Sequence, residues 1–156
     1  MTATLERGLN ALREQIDAPV ASFFTSCVSC GLCAEACLFY KETDDPQYTP
    51  IHKLEPMRRM WKNEFTLMGR AKAMLGLGEK VDDELLTEWE TLVYDSCTLC
   101  GRCTLVCPVG NDITLMIRKM REGLSASGHG PVELMGAAVR HTDGTSPMGD
   151  LTKALL

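Results

Sequence analysis

The sequence predicts an all-α protein. Apolar residues recur at helical spacing in several segments, and no stretch shows the sustained alternation of a half-buried strand. All eight cysteines fall in two short runs, which read SCVSCGLCAEAC from residue 26 and SCTLCGRCTLVC from residue 96. We therefore expect a single domain over residues 1–141, in which helices bring two cysteine loops together.

The N-terminal part of the chain predicts one helix over residues 2–17. Its apolar face consists of Leu5, Leu9, Leu12 and Ile16. Pro19 is expected to end this helix, because proline cannot continue the backbone hydrogen bonds. The first cysteine loop, residues 26–38, follows directly. Leu38 stands where the second run has a proline, so the chain is expected to continue there as a helix through Phe39 and Tyr40.

Residues 50–95 are predicted to form a helical insert between the cysteine loops. Pro56 suits the first turn of a helix, and Gly69 is expected to end it. A short helical piece should cover residues 70–75. Asp82 is then expected to cap a helix that leads to the second run. The apolar face of that helix consists of Leu85, Leu86, Trp89, Leu92 and Val93.

The second cysteine loop, residues 96–109, is followed by two further predicted helices. Asn111 or Asp112 can cap the first of them. Its apolar face consists of Ile113, Met116, Ile117, Met120 and Leu124. Pro131 is expected to begin the last helix, whose face consists of Val132, Met135 and Val139. Residues 142–156, rich in Gly, Ser and Thr, are expected to form a flexible tail.

Composition restricts the class of function. The chain has 156 residues, 45% of them apolar, and a net charge of −5. An acidic balance argues against nucleic acid as a partner, because phosphates require a basic surface. No apolar run reaches the roughly 18 residues that cross a bilayer, and the N-terminus lacks a signal-peptide segment. We therefore predict a cytoplasmic protein with no direct membrane insertion; the alternative is a protein that docks on a membrane through another subunit.

Both cysteine runs have the spacing C-x2-C-x2-C-x3-C, which is typical of bacterial iron–sulfur proteins. A cubane cluster offers four iron corners, and each binds one thiolate. Disulfides are rare in a reducing compartment, and zinc usually takes two separated C-x2-C pairs. The predicted cofactors are therefore two 4Fe-4S clusters, and a zinc-stabilised scaffold protein is the alternative.

The fourth cysteine of each run is expected to bind the cluster of the other run, as it does in proteins with two such clusters. The predicted ligands of the first cluster are Cys27, Cys30, Cys33 and Cys107. The predicted ligands of the second cluster are Cys97, Cys100, Cys103 and Cys37. Gly31 and Gly101 follow the second cysteine of their runs, where a positive φ lets backbone amides approach the cluster.

The sequence contains no Ser/His/Asp set, phosphate-binding glycine loop or pair of carboxylates that predicts catalysis. We therefore expect no catalytic residue. Tyr40 and Tyr94 lie near the cysteine loops, where they could exclude water or simply pack. Arg102 and Lys41 also lie near the loops, and solvated charge is the simplest interpretation of both.

The chain resembles the C subunit of heterodisulfide reductase and its relatives in sulfur-oxidising bacteria. The resemblance covers roughly residues 20–140 and rests on CVSCGLCAEAC, YTPIHKLEPMRRMW and CTLCGRCTLVCPVGNDI. It implies an α-helical ferredoxin fold. It also implies a subunit that carries electrons between a flavin-containing A subunit and a cysteine-rich B subunit. Leu38 departs from the proline of many relatives, which puts the local turn in question.

The sequence leaves more than one function open. The first is an electron-transfer subunit of a heterodisulfide-reductase-like complex in disulfide or sulfur metabolism. The second is a free-standing dicluster ferredoxin that carries electrons by diffusion. The long helical insert favours the first, because a diffusing carrier does not need it.

Overall fold

The computed structural model describes residues 3–79 and 81–145, so most of the predicted tail lies outside the described residues. Within those ranges the chain is helical and contains no strand, which confirms the predicted all-α fold. Two 3-10 turns occupy Pro46–Tyr48 and His52–Leu54. The α-helices are α1 (Ala3–Glu14), α2 (Ala18–Ser26), α3 (Leu32–Glu35), α4 (Leu38–Thr43), α5 (Glu55–Phe65), α6 (Leu67–Met74), α7 (Asp83–Tyr94), α8 (Arg102–Leu105), α9 (Ile113–Ala126) and α10 (Val132–Thr142).

The two helices next to the second cysteine run begin at aspartate caps. The Asp82 side chain accepts a hydrogen bond from the backbone N–H of Leu85 at 3.0 Å. The Asp112 side chain accepts one from Leu115 at 2.9 Å. Each carboxylate satisfies an N–H group that has no partner within the helix. The predicted start of α7 is therefore confirmed, and of the two candidate caps for α9 the structure uses Asp112.

Helix α2 was not predicted, because Pro19 was expected only to end α1. In the structure Pro19 lies in the first turn of α2. Proline fits there because the N–H that it lacks would have no partner in the helix. The Asp17 side chain caps α2 by accepting a hydrogen bond from Val20 N–H at 3.2 Å. Helix α2 then leads directly into the first cysteine run.

The prediction that Gly69 ends a helix is wrong. Helix α5 already ends at Phe65, and Gly69 lies inside α6. The break occurs at Thr66, whose side chain accepts a hydrogen bond from Gly69 N–H at 3.1 Å and so caps α6. The threonine hydroxyl, not the glycine, therefore divides this part of the insert.

The core lies around α9, which packs against α1, α7 and the turn at residues 52–54. Close approach of α1 to α9 depends on a glycine, because a Cβ on Gly123 would lie 2.5 Å from Cδ2 of Leu12. The most deeply buried apolar side chains are Leu12, Val20, Leu54, Met57, Leu86, Val93, Met116, Ile117, Met120 and Leu124. This core holds the end of α7 and the start of α9 in place on either side of the second cysteine run.

The apolar residues of α6 and α10 contribute little to this core. In α6, Leu67 and Met74 are 88% and 89% exposed. In α10, Val132 and Val139 are also exposed, although the sequence placed them on one helical face. These two helices therefore present apolar side chains at the surface of the described structure.

Candidate iron–sulfur site

The two cysteine runs fold in the same way. Gly31 has φ 81° and ψ −9°, and Gly101 has φ 79° and ψ −6°. Both values lie in the left-handed region, where glycine carries no Cβ penalty. Each glycine directly precedes a one-turn helix, α3 or α8. The positive φ predicted at both glycines is therefore present.

A second left-handed residue lies two positions earlier in each run, and it is not glycine. Ser29 has φ 53° and Leu99 has φ 54°. A residue with a side chain rarely adopts this conformation, and for a bulky side chain it stores strain of about 1–3 kcal/mol. This left-handed conformation could not be predicted from the residue types, since neither serine nor leucine is typical of it. Such strain is characteristic of functional loops.

The first cavity is surrounded by four of the predicted ligands, three from the first run and one from the second. They are Cys27, Cys30, Cys33 and Cys107. The remaining wall is mostly apolar and includes Phe23, Ile51 and Ile113. Cys33 is only 5% exposed, whereas Cys30 is exposed to solvent. The cavity thus has a buried end at Cys33 and an outer end at Cys30.

The second cavity has the complementary set of cysteines, three from the second run and one from the first. They are Cys97, Cys100, Cys103 and Cys37. Its wall also includes Phe39, Leu99, Ile117 and two cationic side chains, Lys53 and Arg102. Cys100 is the exposed member of this set.

The one-turn helices bring the fourth cysteine of each run to the opposite cavity. In the first run, Cys37 N–H donates to the carbonyl of Ala34 in α3 at 2.9 Å. In the second run, Cys107 N–H donates to the carbonyl of Thr104 in α8 at 3.2 Å. The longer last step of the spacing therefore corresponds to one helical turn. Helices α3 and α8 also pack against each other.

Burial disfavours ionisation of the inner thiols. Burial, with the neighbouring thiolates of Cys103 and Cys27, raises the pKa of Cys33 to about 11. Burial also raises the pKa of Cys103. At the outer end, the backbone N–H of Arg102 lowers the pKa of Cys100. The inner cysteines therefore need a bound cation to become thiolates, and metal binding must release their protons. Cys33 lies in α3 and Cys103 lies in α8, and these helices pack against each other, so the two cavities lie next to each other.

An amide without a partner lies at the first cavity. Asn111 lines this cavity, and its Nδ2 is buried without a hydrogen-bond partner among the described residues. Its Oδ1 accepts a hydrogen bond from Ser26 Oγ at 2.8 Å. A buried donor without an acceptor is costly. A sulfide or thiolate of a bound cluster would supply the acceptor, so the first cavity fits an iron–sulfur cluster.

A lysine lies at the second cavity. Lys53 is 2% exposed, and its Nζ donates a hydrogen bond to the carbonyl of Ser96, the residue before Cys97. Nζ also lies 5.2 Å from the centre of the Phe39 ring. Burial lowers the pKa of Lys53, while the thiolates of Cys37, Cys97 and Cys103 oppose that change. An anionic cluster would compensate the buried charge, so the second cavity also fits one.

Sequence reasoning did not assign Lys53 to the site. The signal available was weak, namely one lysine between Ile51 and Leu54 in an apolar segment that precedes Pro56. Asn111 was considered only as a helix cap. Lys53 lies far in sequence from the cysteines of the second run, and Asn111, although it follows Cys107 closely, lies far from the three cysteines of the first run. Packing of the insert and of α9 brings them to these cysteines.

The other side chains expected near the loops have varied roles. Arg102 lines the second cavity. Lys41 instead forms an exposed ion pair with Glu35 at 2.9 Å. Tyr94 lines neither cavity, because its hydroxyl contacts the carbonyl of Arg121 and the Ser125 hydroxyl. Tyr94 therefore joins α7 to α9, which is the packing role left open by the sequence.

No three His, Cys, Asp or Glu side chains of residues 3–79 and 81–145 are grouped so as to hold a single metal ion. The cysteines surround two adjacent cavities, with a free amide at one and a lysine at the other. These features are those of a helical protein of the iron–sulfur class. The chain belongs to the 4Fe-4S dicluster domain family, whose family model matches residues 24–111.

Two curated proteins are similar to the chain. One is the Hdr-like menaquinol oxidoreductase iron-sulfur subunit of Archaeoglobus profundus. The other is the Hdr-like menaquinol oxidoreductase iron-sulfur subunit 2 of Archaeoglobus fulgidus. Each is 33% identical over 106 residues, which are 68% of this chain and 19% of the relative. The chain thus spans about a fifth of the length of either.

These comparisons confirm the predicted resemblance to an iron–sulfur subunit of the heterodisulfide reductase type. The iron–sulfur character predicted from the cysteine spacing is confirmed by the family, which supports a role in electron transfer. No solved structure matches the chain. Among the described residues, no helix is both long enough and apolar enough to cross a membrane.

Proposed function

We propose that the chain is an electron-transfer subunit that holds two 4Fe-4S clusters. The observation that carries this proposal is the pair of adjacent cavities, each lined by three cysteines of one run and the fourth cysteine of the other. When bound, such clusters take up and release single electrons. The proposed ligand sets are those of the two cavities, with Cys107 in the first and Cys37 in the second.

The protein's part in this function is to fix the position and surroundings of both clusters. Apolar side chains such as Phe23 and Ile113 at the first cavity, and Phe39 and Ile117 at the second, limit the access of water. Exclusion of water controls the reduction potential of a cluster. Because each cavity needs a cysteine from the opposite run, neither site is complete unless both runs are folded.

The different exposure of the cysteines favours a path for electrons through the molecule, from one cavity to the other. Cys30 and Cys100 are exposed, one at each cavity, while Cys33 and Cys103 lie on α3 and α8, which pack against each other. Exposed apolar side chains surround the outer positions, with Val28 at the first cavity and Leu38 at the second. We infer that electrons enter near one exposed cysteine and leave near the other.

The resemblance supports specific partners for this subunit. They are a flavin-containing A-type subunit and a cysteine-rich B-type subunit of a heterodisulfide-reductase-like complex. The complex is proposed to act in disulfide or sulfur metabolism, in the cytoplasm, without nucleic acid and without direct membrane insertion of this chain. We assign the dicluster function to one domain over residues 1–141, which contributes no catalytic residue of its own.

Metal analysis of anaerobically purified protein tests the clusters. Two 4Fe-4S clusters require about eight iron and eight sulfide ions per chain, with broad absorption near ~400 nm. A colourless protein that contains zinc and no sulfide would overturn the proposal in favour of a zinc-stabilised scaffold. Half the iron and sulfide, with one cluster, would contradict the assignment of both cavities.

A free-standing ferredoxin is the second candidate, since its cluster sites would be the same. The apolar side chains exposed on α6, including Leu67 and Met74, favour a subunit of a complex, because exposed apolar patches are typical of interaction surfaces. Size-exclusion chromatography of native extract with an antibody to the chain distinguishes the two. Elution with flavin-containing and cysteine-rich proteins supports the complex, and elution as a monomer supports the shuttle.

A further inference from the structure

Lys53 is an unusual residue to find in the interior of this protein. It is 2% exposed and is among the largest fully buried side chains of the described residues. Lysine is almost never fully buried unless its charge is compensated, because removal of an ammonium group from water is costly. The position of the charge therefore needs an explanation from its surroundings.

The described protein groups compensate this charge only in part. Lys53 Nζ donates to the Ser96 carbonyl and lies near the face of the Phe39 ring. None of the ion pairs formed between described residues involves Lys53. An ammonium group has three N–H donors, so donors remain beyond the one that Ser96 accepts.

The negative groups that act on Lys53 are the cysteines of the second cavity. They are Cys37, Cys97 and Cys103. The other cation that acts on it is Arg121, which itself donates to the Cys97 carbonyl at 2.5 Å. Arg102 lines the same cavity nearer the surface. The second cavity therefore lies in a cationic environment, and Lys53 is its most buried charge.

The first cavity differs in this respect. The described residues that line it include no lysine or arginine, and its polar groups are Ser29 and the neutral amide of Asn111. Arg58 and Lys62 line an adjoining cavity with Cys27, but Arg58 forms an ion pair with Glu55 at 2.5 Å and Lys62 forms one with Glu79 at 3.5 Å. The folds of the two cysteine runs match, whereas the charges around them do not.

We propose that Lys53 makes the two clusters unequal by raising the reduction potential of the cluster at Cys97, Cys100, Cys103 and Cys37 above that of the other. Reduction adds one negative charge to a cluster, and a buried cation stabilises the reduced form most where water screens least. Lys53 is thus a positioning residue that makes the second site the more easily reduced of the two. This inference rests on the proposed function, since it requires a cluster in each cavity.

Redox titration followed by EPR tests the inference on the full chain with both clusters. In Lys53→Met, which removes the charge and keeps an apolar stem of similar length, one midpoint potential is expected to fall while the other stays at its wild-type value. Lys72→Met is the matched control, because Lys72 is exposed on α6 and its loss should move neither potential.

A second variant separates the charge from the packing. Lys53→Gln retains an N–H donor towards the Ser96 carbonyl but carries no charge, and it is expected to lower the same single potential. If Lys53→Met loses a cluster, the reduction potentials of Lys53→Gln are measured in its place. Unchanged potentials in a variant with wild-type iron and sulfide content would overturn the inference, as would equal shifts of both potentials. Wild-type protein without two clusters would instead overturn the proposed function.

Discussion

Ser26 and Asn111 join the two cysteine runs through one hydrogen bond between residues 85 positions apart. Ser26 directly precedes Cys27, and Asn111 follows the run that ends at Cys107. The bond from Ser26 Oγ occupies Asn111 Oδ1 and leaves Asn111 Nδ2 as a buried donor without a partner at the first cavity. Ser26, beside the first run, thus orients the amide, and Asn111 Nδ2 can donate a hydrogen bond to a cluster in the first cavity.

Asn111→Leu should therefore lower the reduction potential of the first cluster. Loss of an N–H donor to a cluster sulfur makes the reduced, more negative cluster less favourable. EPR-monitored titration should show one potential falling, and it should be the potential that Lys53→Met leaves unchanged. Ser26→Ala should produce a smaller shift in the same direction, because it loosens the amide without removing it. A shift of the same potential by the Asn111 and Lys53 variants would show that the environments of the two sites are not separate.

Gly123→Ala should destabilise the protein, although alanine is favoured over glycine in a helix by about 1 kcal/mol. The new Cβ would lie 2.5 Å from Cδ2 and 3.2 Å from Cα of Leu12, so α1 and α9 must separate. Overpacking of this kind costs about 1–3 kcal/mol and should outweigh the helix preference. We expect a lower midpoint in thermal unfolding followed by circular dichroism.

Gly136→Ala provides the control for helix preference. Gly136 lies within α10, where an added Cβ would meet only the end of the Arg140 side chain at 3.3 Å. This substitution should raise the unfolding midpoint slightly. If both alanine variants changed stability equally, the close contact between α1 and α9 would not be the cause.

Ser29 offers a test of the left-handed backbone in the cysteine runs. Its φ of 53° suits glycine, so Ser29→Gly should fold with equal or higher stability, whereas Ser29→Val should lose about 1–2 kcal/mol. Ser29 is exposed, so little packing changes with it. Ser29→Ala retains a Cβ and is the intermediate control. Unfolding midpoints in the order Gly, Ala, Val support the strain, and an order with Val highest contradicts it.

The sequence predicted the parts of the fold that depend on periodicity and local capping. Helices α7 and α9 begin at or beside the residues expected, because an aspartate before an apolar stripe satisfies the first N–H groups whatever the rest of the chain does. Local ambiguity explains the errors. A proline can end one helix or lie in the first turn of the next. At Pro19 the Asp17 cap favours the start of a new helix, α2.

Only part of the candidate site could be predicted from the sequence. The eight cysteines are predicted as cluster ligands from their spacing alone, since a repeated run of four thiols serves few purposes. Lys53 and Asn111 could not be predicted, because their proximity to the cavities depends on tertiary packing and not on a motif. The left-handed residues Ser29 and Leu99 were also invisible, as their conformation comes from the loop and not from their own preference.

EPR and Mössbauer spectra of four single variants test whether the fourth cysteine of each run binds the cluster of the other run. Cys30→Ser marks the first cluster and Cys100→Ser marks the second, because each of these cysteines is among the first three of its run. We predict that Cys107→Ser alters the same cluster as Cys30→Ser, and that Cys37→Ser alters the same cluster as Cys100→Ser. If Cys107→Ser instead reproduced the spectrum of Cys100→Ser, each run would bind its own cluster and the proposed exchange of cysteines would be wrong.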